Sequence, residues 1–326
     1  MRRARLLVLP ALLVLPALAA CSVSLGDDDD ADDDGFAHGE GRLLVDEERS
    51  NDYAIDQAQT LIARAGIYAG GGVYPLGVRD LDSDDEFTAL TGEGVLVSSP
   101  TWTPDATQLV YVEHDGLEFD SPSRLAVISA DGSGQQTLTL STTPDEYVDE
   151  ILAVDDAGVV TYEVSDRFGG ELDGFYTISL DGSARQPLPG VAPGRADLTL
   201  DPSGERVLWT VYDDSDQPPV TRIFVGTLES AEGTEVAQGS YPAWSPDGSK
   251  IVYLADTGDT EDDGLPLSAL YVVPADGSAE PAEVPGRDCC MAGPLTWLLD
   301  DRVVVARTSY VVGDYRLYTL DASGVG

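Results

Sequence analysis

The sequence contains 326 residues, with 59 aspartates and glutamates against 18 lysines and arginines, and its formal net charge at pH 7 is −41. A charge of this sign and size repels nucleic acid, so we expect no nucleic-acid partner. The length exceeds what one hydrophobic core usually serves, so the chain needs several domains or a repeated fold. A general acidic bias of the surface, without any ligand, also explains the charge.

Residues 1–20 have the pattern of a secretory leader. Three arginines precede an apolar run over 6–17, which is too short to span a bilayer as a permanent helix. The run ends at Leu-Ala-Ala-Cys, residues 18–21, which resembles the lipobox of bacterial lipoproteins, where the cysteine is lipidated and becomes the mature N-terminus. We therefore predict a signal peptide, lipidation of Cys21 and an extracytoplasmic protein anchored to the cell membrane. An ordinary secretory signal with an incidental cysteine is the alternative.

The segment 21–41 is rich in aspartate, with runs at 27–30 and 32–34. Like charges at this density repel one another and cannot bury a core, so we predict an acidic disordered tether. The tether would hold a folded domain, residues 42–326, away from the membrane. Without the leader, which carries three basic and no acidic residues, the net charge becomes −44.

A repeat runs through the predicted domain. The clearest copy is AWSPDGSKIVYLA at 243–255, and TWTPDATQLVYVE at 101–113 and TLDPSGERVLWTV at 199–211 match it. A large apolar residue, which we call the anchor, precedes the turn in each copy. The six anchors, spaced by 44 to 53 residues, are Ile55, Trp102, Val154, Leu200, Trp244 and Trp297.

Each copy has the pattern of a β-hairpin followed by further strands. Pro, Asp and Gly after the anchor favour a reversal of the chain, and a strand rich in β-branched and aromatic residues comes next. In four units a later apolar strand leads into a second tight turn, at 131–133, 181–183, 276–278 and 321–323. The pattern predicts a four-stranded antiparallel meander in each unit, without a helix.

Such sheets cannot bury both faces alone, so neighbouring units must stack. Four-stranded units packed radially form a propeller, whereas a solenoid would need capping repeats, and none is evident. The last unit ends after its third strand, so its fourth strand is missing. The segment 42–45, at the other end of the predicted domain, could supply that strand. We therefore predict an all-β, six-bladed β-propeller whose N-terminal strand completes the last blade and removes an open sheet edge.

The copy WSPDGSKIVYLA at 244–255, together with the later Asp-Gly-Ser turn, resembles the repeat of TolB-like propellers. The resemblance extends over 42–326 and is strongest in this copy. It implies a six-bladed propeller outside the cytoplasm. The chain has no room for the N-terminal α/β domain of that family and carries a lipobox instead, so the resemblance supports the fold and not a role in the Tol-Pal system.

Blade topology sorts the connections into two faces. The turns between first and second strands and between third and fourth strands share one face, which we call the turn face. The links between second and third strands and between blades share the opposite face, the loop face, where longer and more variable segments favour binding. Candidate binding residues on the acidic loop face are Glu113, Asp115, Asp120, Asp145, Glu146, Asp173, Asp213, Asp216, Asp259 and Asp262.

These residues predict a non-catalytic binding or scaffold module for an envelope protein or a cationic peptide, and solvated loops without a ligand are the alternative. No cofactor is expected, although carboxylates here could bridge Ca²⁺. An EF-hand is not predicted, because the twelfth position from Asp259 is Leu270 instead of glutamate. Cys289 and Cys290 are adjacent in a loop-face link, where they could form a vicinal disulfide, pair between chains or stay reduced.

An enzyme is the second interpretation. The sequence has two histidines, His38 in the tether and His114 alone in an acidic loop, and no G-x-S-x-G motif presents a nucleophile. A hydrolase or lyase needs only two carboxylates at a set separation, here at the mouth of the central channel. We expect a binding protein and no catalytic residues.

Overall fold

The computed structural model consists of strands and turns in the residues that it describes. These are 42–47, 52–67, 72–83, 85–117, 121–138, 147–165, 174–188, 196–213, 215, 220–227, 232–260, 266–285, 291–308 and 315–325. The predicted signal peptide, Cys21 and the acidic tether lie outside these ranges. Within them, no helix has the length and apolar character that a membrane crossing requires.

The strands form six antiparallel sheets of four strands each, which confirms the predicted six-bladed propeller. The chain enters through β1 (Arg42–Glu47), which belongs to the last blade. Blade 1 contains β2 (Asp52–Ile55), β3 (Leu61–Ile67), β4 (Val73–Asp80) and β5 (Thr88–Ala89). Blade 2 contains β6 (Val97–Trp102), β7 (Gln108–His114), β8 (Ser123–Ser129) and β9 (Gln136–Thr137). Blade 3 contains β10 (Tyr147–Val154), β11 (Val159–Ser165), β12 (Gly174–Ser179) and β13 (Gln186–Pro187).

The second half of the ring repeats this order. Blade 4 contains β14 (Ala196–Leu200), β15 (Arg206–Asp213), β16 (Val220–Thr227) and β17 (Gly233–Gln238). Blade 5 contains β18 (Ser240–Trp244), β19 (Lys250–Thr260), β20 (Pro266–Pro274) and β21 (Ala282–Glu283). Blade 6 contains β22 (Met291–Trp297), β23 (Arg302–Thr308), β24 (Tyr315–Asp321) and, from the other end of the chain, β1.

The first strands of the blades line the axis, because β2 contacts β6, β6 contacts β10, and the series continues to β22. Hydrophobic clusters fill the spaces between blades; for example, Tyr162 of blade 3 packs with Val127 and Leu138 of blade 2. Two anchor tryptophans also bond across blades: Trp102 donates from Nε1 to the Ala54 carbonyl at 3.1 Å. Trp244 donates in the same way to the Thr199 carbonyl at 3.3 Å. The anchors therefore join each of these blades to the one before it.

Two contacts close the ring. β1 pairs antiparallel with β24, so that Leu43 lies opposite Tyr318 and Val45 lies opposite Leu317. On the side of blade 6 that faces blade 1, Val304 and Leu317 pack in a cluster with Ile62. The predicted closure by the N-terminal strand is confirmed.

The turns after the anchors depend on a polar residue that sequence analysis did not single out. Directly after the anchor, five blades carry a small polar side chain, namely Asp56, Thr103, Asp155, Asp201 and Ser245. The Asp201 carboxylate accepts hydrogen bonds from the backbone N–H groups of Glu205 and Arg206, both at 3.0 Å. Because these side chains supply acceptors inside the turn, they satisfy backbone donors that have no strand partner there.

The fourth residue after the anchor has a left-handed backbone in every blade. The φ angles are 58° at Gln59, 56° at Ala106, 74° at Gly158, 74° at Gly204, 68° at Gly248 and 63° at Asp301. Glycine adopts this conformation without steric cost, whereas a side chain with a Cβ atom does not. The repeat therefore fixes a left-handed backbone at this position, although the turns of blades 3 and 6 are one residue shorter than the other four. Three of the six copies have a residue other than glycine there.

We predict that Ala106→Gly raises the free energy of unfolding, by about 0.5–1 kcal/mol, because it removes the left-handed strain of alanine. Gly204→Ala is the matched reverse change, since no atom lies within 4 Å of the added Cβ and only the backbone responds. It should lower the free energy of unfolding by about 1 kcal/mol. Urea unfolding at neutral pH measures both, and a destabilised Ala106→Gly protein would contradict the shared turn geometry.

Candidate functional site

The described part of the loop face contains a network around Arg124 in blade 2. Arg124 lies directly opposite Glu113 in the β7–β8 pairing. Its guanidinium forms ion pairs with both Glu113 and Asp115. Gln135 donates from Nε2 to Glu113 at 3.1 Å and to the Tyr111 hydroxyl at 2.8 Å. Two of the predicted carboxylates are therefore brought together and held in place by one cation.

Tyr111 anchors this network in the core. Its side chain is fully buried between blades 1 and 2. Burial raises the pKa of Tyr111 to about 12, with a further contribution from the nearby Glu113 charge. The phenol is therefore protonated at neutral pH, and the network is fixed at its inner end by a neutral hydroxyl group.

Blade 4 repeats the arrangement with Asp213. Arg222 lies between two carboxylates, with Nε 3.5 Å from Asp213 Oδ2 and Nη1 3.0 Å from Glu235 Oε1. Asp213 also accepts a hydrogen bond from the Ser215 backbone at 3.0 Å. The Ser215 side-chain hydrogen bond, followed by this backbone bond and the Arg222 charge, lowers the pKa of Asp213. The carboxylate is therefore ionised and oriented at neutral pH.

The structure places the predicted residues in separate groups. Glu113 and Asp115 share one network in blade 2, whereas Asp213 lies two blades further round the ring. Asp259 lies in β19, and its side chain is not described. The remaining candidates, Asp120, Asp145, Glu146, Asp173, Asp216, Asp262, Cys289 and Cys290, lie outside the described residues. In the described part of the chain, no three His, Cys, Asp or Glu side chains are grouped to hold a metal ion.

Arg124 and Arg222 were not predicted from the sequence. Both lie on third strands, next to acidic residues at the ends of second strands. Cross-strand pairs of opposite charge are favourable, so aligning the hairpins residue by residue would have found both. Each arginine neutralises part of the charge of the two carboxylates that it contacts and holds them in place.

The prediction that His114 lies alone in a loop was wrong. His114 ends β7 and is buried, with Nε2 2.8 Å from the hydroxyl of Ser98. Next to it, the Ser123 hydroxyl donates to the Val148 carbonyl at 2.9 Å and accepts from the Val148 N–H at 2.8 Å. Ser123 thus bonds blade 2 to blade 3. Burial lowers the pKa of His114, against smaller opposing effects of the Ser121 backbone and the Asp115 charge.

One carboxylate among the innermost strands has a perturbed acidity. Asp52 in β2 accepts a hydrogen bond from the Ser99 N–H at 3.0 Å. Burial raises the pKa of Asp52, and the Ser99 bond opposes that rise. Ser99 has a left-handed φ of 50°, but Tyr241 occupies the same position in blade 5 with a φ of 52°. The strain therefore belongs to the bulge of the repeat and does not mark a special site.

Comparison with known proteins supports the fold alone. No family model and no curated protein matches the sequence. Among solved structures, TolB from Acinetobacter baumannii aligns with a TM-score of 0.51 at 15% identity, over 71% of this chain and 53% of TolB. The chain thus spans about half the length of that TolB structure. The chain is a six-bladed β-propeller, and its fold is TolB-like, which confirms the predicted resemblance.

Enzymes with the same fold align equally well. An oligogalacturonate lyase in complex with manganese aligns with a TM-score of 0.55 at 16% identity, over 85% of this chain and 78% of the lyase. An oligogalacturonate lyase from Vibrio parahaemolyticus gives 0.52 at 15% identity with the same coverage of 85% and 78%. At these identities the likeness extends to the fold and carries no activity with it.

We predict that His114 makes the protein less stable as the pH falls from 7 towards 5. Its folded pKa is depressed, so below about pH 6.5 the unfolded chain binds a proton that the folded protein does not. Stability should therefore fall by up to about 1.4 kcal/mol per pH unit in this window, before most carboxylates titrate.

The variant His114→Gln keeps a polar group beside Ser98 but does not titrate. We expect a flatter pH dependence of the free energy of unfolding for this variant, measured by urea unfolding between pH 7.5 and pH 5. The same slope in both proteins would show that His114 is not the group responsible.

Proposed function

We propose that the chain is an extracytoplasmic propeller, anchored by a lipid on Cys21, that binds a cationic protein or peptide through its loop face and has no catalytic role. One observation carries the proposal: two arginines on this face each hold a pair of carboxylates, Glu113 with Asp115 and Asp213 with Glu235. Each group of three keeps one excess negative charge. Because the carboxylates are already ordered, their side chains lose less conformational entropy when a partner binds.

Each group has an exposed apolar residue close to one of its aspartates in the sequence. Leu117 is 56% exposed and follows Asp115 closely, and Tyr212 is 61% exposed and precedes Asp213. Large exposed apolar residues next to fixed charges are typical of protein-binding surfaces, where aromatic residues contribute much of the affinity. The loop face therefore offers both the charge and the apolar contact that a basic, partly apolar peptide needs.

We predict that a synthetic peptide alternating lysine with leucine and threonine binds the purified protein, and that its counterpart with glutamine for every lysine does not. The double variant Leu117→Ser/Tyr212→Ser should weaken binding at least about tenfold, because it removes the apolar contacts. Leu299, which is 61% exposed in the β22–β23 turn on the turn face, provides the matched control. If Leu299→Ser weakens binding as much, or if both peptides bind alike, the loop face is not the binding surface.

A second candidate function, a hydrolase or lyase with a carboxylate site at the channel, is favoured by the raised pKa of Asp52 on an innermost strand. Oligogalacturonate is the informative substrate, since it is named for two structures of the same fold. We predict no unsaturated product when the protein is incubated with it and followed by ultraviolet absorbance. Turnover that disappears in Asp52→Asn, which keeps an acceptor for Ser99, would replace the binding proposal with a catalytic one.

A further inference from the structure

The loop-face end of the β7–β8 hairpin carries two adjacent pairs of residues. Glu113 lies opposite Arg124, and His114 lies opposite Ser123. Arg124 forms its second ion pair with Asp115, the residue after His114. We call Glu113, Asp115 and Arg124 the Arg124 group. The two carboxylates of this group are therefore joined to each other through the backbone of His114.

His114 connects this hairpin end to the neighbouring strand of its blade. Its N–H donates to the Leu96 carbonyl at 3.0 Å, and its Nε2 atom lies 2.8 Å from Ser98 Oγ. The residue opposite, Ser123, bonds in both directions to the backbone of Val148 in blade 3. His114 is only 8% exposed, so its ring has lost most of its contact with water. The Arg124 group therefore rests on a buried contact between a histidine and a serine.

A proton on the His114 ring conflicts with this environment in two ways. A neutral imidazole has one donor and one acceptor, whereas the protonated ring has two donors and cannot accept from the Ser98 hydroxyl. Burial also lowers the pKa of His114, against smaller opposing effects of the Ser121 backbone and the Asp115 charge. A ring in water has neither disadvantage. As the pH falls below about 6.5, proton uptake therefore favours a hairpin end in which the ring reaches water.

The charges around His114 do not remove this effect. The strands in contact with β7 are β6, β8 and β10, and β6 carries no titratable residue. The titratable or charged residues near His114 on the other strands are Glu113 and Asp115 of β7 and its end, Arg124 of β8, and Tyr147, Asp149 and Glu150 of β10. Of these, Asp115 raises the pKa of His114, but burial has the larger effect.

Blade 4 carries a similar group without a histidine. Arg222 lies opposite Val211, which has the repeat position of Glu113, so Arg222 is the counterpart of Arg124. Asp213 likewise has the repeat position of Asp115. The residue before Asp213 is a tyrosine with 61% exposure, where blade 2 has the buried histidine. Tyrosine does not change its charge between pH 7.5 and pH 5, so blade 4 provides an internal control.

We propose that His114 is a proton-sensitive switch: its neutral ring keeps the Arg124 group ordered, and proton uptake opens this hairpin end and lowers the affinity for a cationic partner. The effect on a partner rests on the proposed function, whereas the opening of the hairpin end does not. A cation bound beside Asp115 also repels a positive charge on His114. Because such coupling is reciprocal, a bound partner should keep His114 neutral to a lower pH.

Amide hydrogen exchange measures the opening without a partner. The Asp115 N–H donates to the Pro122 carbonyl at 2.8 Å. Its protection factor should fall by up to about 30-fold between pH 7.5 and pH 5, the limit set by an ordinary histidine pKa of about 6.5. In His114→Gln, which takes up no proton, the fall should be less than about twofold. The amides at the corresponding end of the β15–β16 hairpin should keep their protection in both proteins.

The lysine peptide of the proposed function tests the effect on binding. Isothermal titration calorimetry should give an affinity at least about threefold lower at pH 5 than at pH 7.5, and a difference of less than about twofold for His114→Gln. Both proteins have the same carboxylates, so the titration of these groups affects both alike. If the peptide does not bind at pH 7.5, the loop-face proposal fails, and the exchange experiment still decides whether His114 is a switch.

A titration of the unaltered protein by NMR makes the test independent of the variant, should His114→Gln not fold. The ring signals of His114 should titrate below pH 6.5, and the Asp115 amide signal should shift or broaden over the same range. A titration of His114 that leaves the Asp115 amide unchanged would overturn the proposal. The same loss of protection in both proteins, or in blades 2 and 4 alike, would also overturn it.

Discussion

Lateral packing of the sheets is the constraint on which the whole structure depends. Successive residues of a strand point to opposite faces of its sheet, and in this ring both faces are buried. In blade 2, Leu109 and Tyr111 pack towards blade 1, while Val110 and Val112 pack towards blade 3. No blade has a face that can remain in water, so the pairing of β1 with β24 is needed to complete the sixth sheet and the ring.

Much of this fold could be predicted from the sequence, because each repeat carries its own local chemistry. The anchors, the turns after them and the strands between the turns are all set by residues close in sequence. Even the closure by the segment at Leu43 could be predicted, since the last unit lacked one strand. The Ser98–His114 bond could not, because a bulge in β6 shifts the register and decides which side chains meet. Arg124 shows the same limit: its partners are clear only when two strands are aligned residue by residue.

The net charge does not show that the carboxylates have different roles in the structure. Asp131, Asp181, Asp276 and Asp321 each accept a hydrogen bond from the backbone of the serine two residues later, at 2.8 to 2.9 Å. The serine side chain and this backbone bond lower the pKa of all four. These aspartates form the second turns of their blades and serve the fold. Their contribution to stability is present at neutral pH and disappears only as the pH falls below the ordinary range of aspartate.

A repeated fold offers its own internal controls, because equivalent positions show what a change of side chain does. Arg206 and Gln108 occupy the same position on the same backbone, and one fills the space between two turns while the other leaves a cavity. The two turns have the same length, but the residue after the anchor also differs, because blade 4 has Asp201 where blade 2 has Thr103. Two kinds of position therefore have different roles. The apolar faces of the strands and the left-handed turn positions hold the blades together. Side chains near the start of the second strands then decide how the space between neighbouring turns is filled.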